Sequence, residues 1–128
     1  MRTVEKWLGL AAMLLTAYPG LAEAQGTTAF DGSYLGVAAT NLGGMGERGS
    51  TRGCQTFAKP APLTIANGHA QAPWASDTLD GQVNPDGSIR MKAQRFAGTF
   101  DGRIANQTIT GRYQGGCNYD LTWQKRPG

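Results

Sequence analysis

A single histidine, two cysteines and charged side chains at only 16% of 128 positions leave little from which to assemble a reactive centre. Zinc-type sites draw on clustered Cys and His. The one histidine, His69, stands beside Gly68 at an expected turn, with no second His or paired carboxylate at ligand spacing. No nucleophile-elbow pattern surrounds a serine, so a Ser-His-Asp set would have to gather from distant parts of the chain. Gln82-Val83-Asn84-Pro85-Asp86-Gly87 imitates the start of an EF-hand, but it opens on Gln and reaches Ala93 where a bidentate Glu is required. These shortages predict no catalytic residue, no metal and no cofactor.

Long apolar runs are also missing. The longest, residues 7–15, falls short of the about 20 residues that cross a bilayer. It follows Arg2 and Lys6 and precedes Pro19-Gly20 and Ala22-Glu23-Ala24, the pattern of a signal peptide cut after Ala24. The expectation is a leader over 1–24, a mature chain over 25–128 with no transmembrane segment, and a periplasmic or secreted location. The first cysteine is Cys54, so a lipid anchor at the cleavage site is not expected. The net charge of +3 comes from scattered residues with no basic run, which argues against nucleic acid as a partner.

Two cysteines in an exported chain pair with each other. A Cys54–Cys117 bridge closes a long loop, worth roughly 4 kcal/mol through restriction of the unfolded chain. A redox-active pair would want the thiols close in sequence, which these are not.

Glycine is abundant, with 19 in the chain and all but two after residue 24. Helical periodicity is absent, and alternation of period two replaces it. Leu79, Gly81 and Val83 share a face, as do Ile89 and Met91, then Phe96, Gly98, Phe100, Gly102 and Ile104, then Ile109, Gly111 and Tyr113. The clearest run sets Cys117, Tyr119, Leu121 and Trp123 inward against Asn118, Asp120 and Thr122. Asn84-Pro85-Asp86-Gly87 predicts a tight hairpin, and Ala105-Asn106-Gln107 and Gln114-Gly115-Gly116 predict two more. An Asp-Gly-x-apolar unit recurs at Asp31, Asp80, Asp86 and Asp101, marking strand starts and bends. Inward glycines at Gly81, Gly98, Gly102 and Gly111 let a sheet coil and leave room for facing rings. The fold class is therefore all-β: one antiparallel meander of about seven or eight strands, closed or strongly curled into a barrel, with a β-sandwich as the alternative.

Residues 40–53 hold five glycines and little to bury, and read as a long mobile loop. Lys59-Pro60-Ala61-Pro62 precedes a short strand, and Pro73-Trp74 interrupts the next, placing both near a sheet edge.

The order Phe30-Asp31-Gly32-x-Tyr34-x-Gly36, Cys54, Leu63-Thr64-Ile65-x-Asn67-Gly68, Gly81-x-Val83-x-x-Asp86-Gly87 and Ile109-x-Gly111-x-Tyr113 with Cys117-x-Tyr119 resembles a class of short secreted bacterial proteins of uncharacterised function. The resemblance implies export, β architecture and the disulfide, and adds nothing about activity.

The expected function is an exported, non-enzymatic binding module for an envelope glycan, lipid or protein, acting through residues 40–53 or one end of the barrel. Tyr34, Arg48, Arg52 and Trp74 are the candidate contacts, and Tyr113 is a further ring to inspect for stacking. Two alternatives are an inhibitor of a secreted protease or lysozyme, which would present that same loop, and a small hydrolase built around His69. Arg90, Lys92, Arg95, Arg103 and Arg112 suggest a basic face for an acidic polymer, and Asn106-Gln107-Thr108 forms a glycosylation sequon.

Overall fold

The structure is a computed structural model that describes residues 27–44 and 53–127. Eight strands follow in order: β1 Gly32–Gly44, β2 Leu63–Ala66, β3 His69–Trp74, β4 Asp77–Val83, β5 Ser88–Ala93, β6 Thr99–Ala105, β7 Thr108–Gln114 and β8 Cys117–Lys125. Each pairs antiparallel with the next, and β1 pairs with β8, so the meander closes into a barrel rather than a sandwich. The disulfide is formed between Cys54 and Cys117, which places the chain among proteins of oxidising compartments. The expected signal peptide over 1–24 and the residues Arg48 and Arg52 lie outside the described residues.

Turn chemistry sets the register. Asn67-Gly68 and Asn106-Gln107 both hold positive φ at their two central positions, the type I′ geometry whose twist matches a two-residue hairpin. Both oxygens of the Asp31 carboxylate accept from the Asn67 and Gly68 amides, at 2.7 and 3.1 Å, pinning the first of these turns to the start of β1. At the β4–β5 turn the Gly87 amide donates to the Asn84 carbonyl and the Asn84 amide to the Ser88 carbonyl.

Alternation fills the interior. Leu79, Val83, Ile89, Met91, Phe100, Ile109, Leu121 and Trp123 are all at most 2% exposed, so the barrel is a packed core. Gly102 and Gly111 face each other across β6 and β7, and the Phe100 ring lies over both, within 2.8 Å of where either Cβ would be. Gly98 likewise makes way for the Tyr113 ring. The four Asp-Gly units play two roles: those at Asp31 and Asp86 sit at strand starts, while those at Asp80 and Asp101 lie inside β4 and β6. All four deliver a buried residue three places after the Asp, namely Tyr34, Val83, Ile89 and Ile104.

Three expectations are corrected. Residues 40–44 belong to β1, whose bulges at Gly36/Ala38 and Asn41/Gly43 hide the alternation. Phe96 is outside β6 and 58% exposed, because residues 94–98 form a bent loop. The expected basic face is a row of alternating sign: Arg90, Asp101, Arg112 and Asp120 are register partners in turn across β5 to β8. Arg90 and Arg112 each pair at 2.8 Å, with Asp101 and Asp120. No helix of the described residues is long and apolar enough to cross a membrane.

Candidate functional site

The barrel wall is incomplete at one end. β2 is four residues long and pairs with β1 only at Gly32, Ser33 and Tyr34. Beyond that point neither β1 nor the Ala72–Pro73–Trp74 end of β3 has a β2 partner. Residues 53–62 form a strap without regular structure that covers this seam. Three side chains of the barrel wall hold it by donating to its carbonyls. The Tyr119 hydroxyl bonds Gln55 at 2.6 Å, the Trp123 indole N–H bonds Ala61 at 2.8 Å, and the Asn41 amide bonds Cys54 at 3.3 Å. The disulfide anchors the same segment to the start of β8. Pro60 lies so close to Gly36 that a Cβ there would fall 1.8 Å from the Pro60 carbonyl oxygen, so only glycine lets the strap seat on β1.

This end, where Gly44, Cys117, Gln114, Thr99 and Trp74 converge, is the mouth of the barrel. Four rings close it. Phe57, carried on the strap, packs 4.8 Å from Trp74 and 5.5 Å from Tyr119 between ring centres. Trp74 in turn lies 5.2 Å from Tyr113 and 5.0 Å from Tyr119. Such tilted and edge-on pairs are the favourable arrangements for aromatic rings. Burial pushes the Tyr113 and Tyr119 phenols above their ordinary pKa, so both stay neutral at physiological pH.

Between the strap and the β3–β4 hairpin runs a cleft of about 580 Å³. Pro60, Ala61 and Pro62 form one wall, Pro73 and Ala75 the other, and Phe57 and Trp74 the floor. Its polar lining is Gln55, Lys59 and Ser76. Ala75 holds the hairpin turn at φ 54°, a left-handed conformation uncommon for alanine. A smaller cavity of about 190 Å³ lies against Phe57, Trp74, Tyr113, Tyr119 and Cys117. A larger hollow of about 650 Å³ is lined by Gly98, Gly115 and Gly116 together with Leu42, Ala97, Thr99, Gln114 and Asn118, and its one charged residue, Arg112, is already paired.

The loop over residues 94–98 also rises at this end and is held firmly. The Asp77 carboxylate accepts from the backbone amides of Thr78, Arg95 and Phe96 at 2.7 to 3.0 Å. Those bonds outweigh partial desolvation and hold the Asp77 carboxyl below its usual pKa. Arg95 bonds the Ser76 carbonyl, and its guanidinium carbon sits 5.5 Å from the Phe96 ring centre.

The candidate contacts separate on this map. Trp74 is 5% exposed at the cleft floor. Tyr34 is a core residue, 1% exposed, with its hydroxyl bonded to the Phe30 carbonyl at 2.6 Å. Phe57, Lys59 and Tyr119 were not singled out as site residues by sequence reasoning, since nothing local says that a strap will fold over the mouth. His69 opens β3 at the opposite end, where its Nε2 lies 2.6 Å from Asp80. That carboxylate also accepts from the side chains of Gln71 and Gln94, at 2.7 and 3.2 Å, and the His69 bond leads the causes that depress its pKa. No third Cys, His or acidic residue joins His69 and Asp80 in a metal-ligand group among the described residues.

No protein-family model matches the chain, and neither the curated proteins nor the solved structures contain a significant match to it.

Proposed function

We propose that the chain is an exported binding module, not an enzyme, that takes its ligand in the cleft between the strap and the β3–β4 hairpin. The single observation that carries this reading is the construction of that cleft. Its walls are stiff prolines, its floor is aromatic, and its strap is held by one disulfide and three side-chain hydrogen bonds. Pre-formed, mostly apolar concavities with a few polar groups are the usual form of small-ligand sites, and barrel mouths are a common place for them. Export is supported by the leader pattern over residues 1–24 and by the disulfide, in line with the resemblance to short secreted bacterial proteins.

A thermal-shift screen of envelope glycans, lipids and peptides against the processed protein and a Pro62→Trp variant tests the reading. The expected result is a compound that raises the melting temperature of the parent and not of the variant, whose indole fills the cleft. Ligands that stabilise both equally would move the site elsewhere.

A second reading, inhibition of a secreted hydrolase, is favoured by Phe96. This ring is largely exposed on a loop already fixed by Asp77, and a fixed exposed aromatic is the usual anchor of a protein interface. Loss of lysozyme or protease inhibition in Phe96→Ser, from a parent that inhibits at micromolar concentration, would support it. A parent without inhibition would dispose of it.

A further inference from the structure

We infer that the cleft is built for an amphipathic carboxylate, one anionic head on an unbranched apolar chain; this rests on the reading of the cleft as a ligand site. Charge gives the first argument. Lys59 is the one charged residue lining the cleft, and every carboxylate among the described residues is engaged elsewhere. Asp31 binds the Asn67 and Gly68 amides, and Asp77 binds three backbone amides. Asp80 faces His69, Asp86 caps Ser88, and Asp101 and Asp120 pair with arginines. The ammonium at the rim therefore selects for an anion and against a cation.

Shape gives the second. Pro62 and Pro73 line both this cleft and a neighbouring groove of about 390 Å³, whose other lining residues are Thr64, Gln71, Ala72 and Thr78. Two hollows that share Pro62 and Pro73 offer an extended chain a second stretch of wall that a compact ring would leave unused. Proline walls lose little freedom when a chain settles against them.

The test uses the processed, disulfide-bonded protein titrated with decanoate below its micellar concentration, followed by tryptophan fluorescence and calorimetry. Decanol, decyltrimethylammonium and anionic phospholipid vesicles serve as comparison ligands. The expected result is saturable one-to-one binding of decanoate, weakened about tenfold in Lys59→Gln, restored in Lys59→Arg, and about tenfold tighter than the cation of equal chain length. Equal binding of the carboxylate and the cation, or indifference to Lys59→Gln, would overturn the ligand class. So would binding to vesicles without binding to free decanoate. Absence of decanoate binding alongside a different ligand blocked by Pro62→Trp would overturn the ligand class while leaving the cleft as the site. Decanoate binding that survives Pro62→Trp unchanged would overturn both.

Discussion

Replacing Cys54 and Cys117 together by serine removes a link between residues 63 apart in sequence. The chain-entropy relation gives a loop of that length about 4 kcal/mol of stabilisation, through the conformations denied to the unfolded chain. A domain of this size has a total stability of about 5–15 kcal/mol, so the loss is a large fraction of the whole. At roughly 4–8 °C per kcal/mol, the melting temperature should fall on the order of 15–30 °C. Denaturant unfolding of the oxidised parent and the double variant, followed by circular dichroism, gives the difference directly. The three side-chain bonds to the strap remain in the variant, so the native circular dichroism spectrum should be unchanged before unfolding begins. A loss below about 1 kcal/mol would refute the reasoning, since it would mean that the unfolded chain gains little freedom when the link is cut.

Other perturbations address different parts of the structure. Gly111→Ala would place a Cβ 2.3 Å from the Asp101 carbonyl oxygen and 2.6 Å from the Phe100 ring, and should cost about 1–3 kcal/mol in denaturant unfolding, as overpacking does. Asp77, Asp80 and Asp86 all have depressed carboxyl pKa values, Asp77 through its backbone amide bonds, Asp80 chiefly through His69 and Asp86 chiefly through Ser88. A depressed folded value means stability that is present above the unfolded pKa and lost as pH falls through the folded one, so stability should decline below about pH 4 and decline less steeply in Asp77→Asn. Tyr34, Tyr113 and Tyr119 show the opposite shift, raised first by burial. Their contribution is fully present below about pH 10 and is lost as pH rises through the folded values, so phenolate absorbance and unfolding should rise together in alkali. Tyr119→Phe, which keeps the ring and deletes the bond to Gln55, should cost about 1 kcal/mol and loosen amide exchange in residues 53–62 first.

Most of the barrel was legible because its strands β4 to β8 bury one face and expose the other without interruption, as in Ile109, Gly111 and Tyr113. The turns at Asn84-Pro85-Asp86-Gly87 and Asn106-Gln107 were legible for the same local reason. β1 was legible only in part, since two bulges shift the phase of its side chains just where glycine makes its sequence look like a loop. The loop at 94–98 was missed because its shape is imposed by Asp77, distant in sequence, taking the amides that a strand would have used. Pro73-Trp74 does not interrupt its strand as expected: both residues close β3 and pair with β4, and only the side facing β2 is left without a partner. The strap was beyond sequence reasoning, because Asn41, Tyr119 and Trp123 reach it from positions 13, 64 and 62 residues away.

The claim on which the rest depends is that ligand binds where the strap crosses the mouth. Amide chemical shifts of the processed protein, recorded with and without a ligand that stabilises it, test this most directly. The perturbed residues should cluster at Gln55, Phe57, Lys59 and Ala61 on the strap and at Trp74, Ala75 and Ser76 on the hairpin. Shifts confined to the Arg90, Asp101, Arg112 and Asp120 row on the outer wall would contradict it.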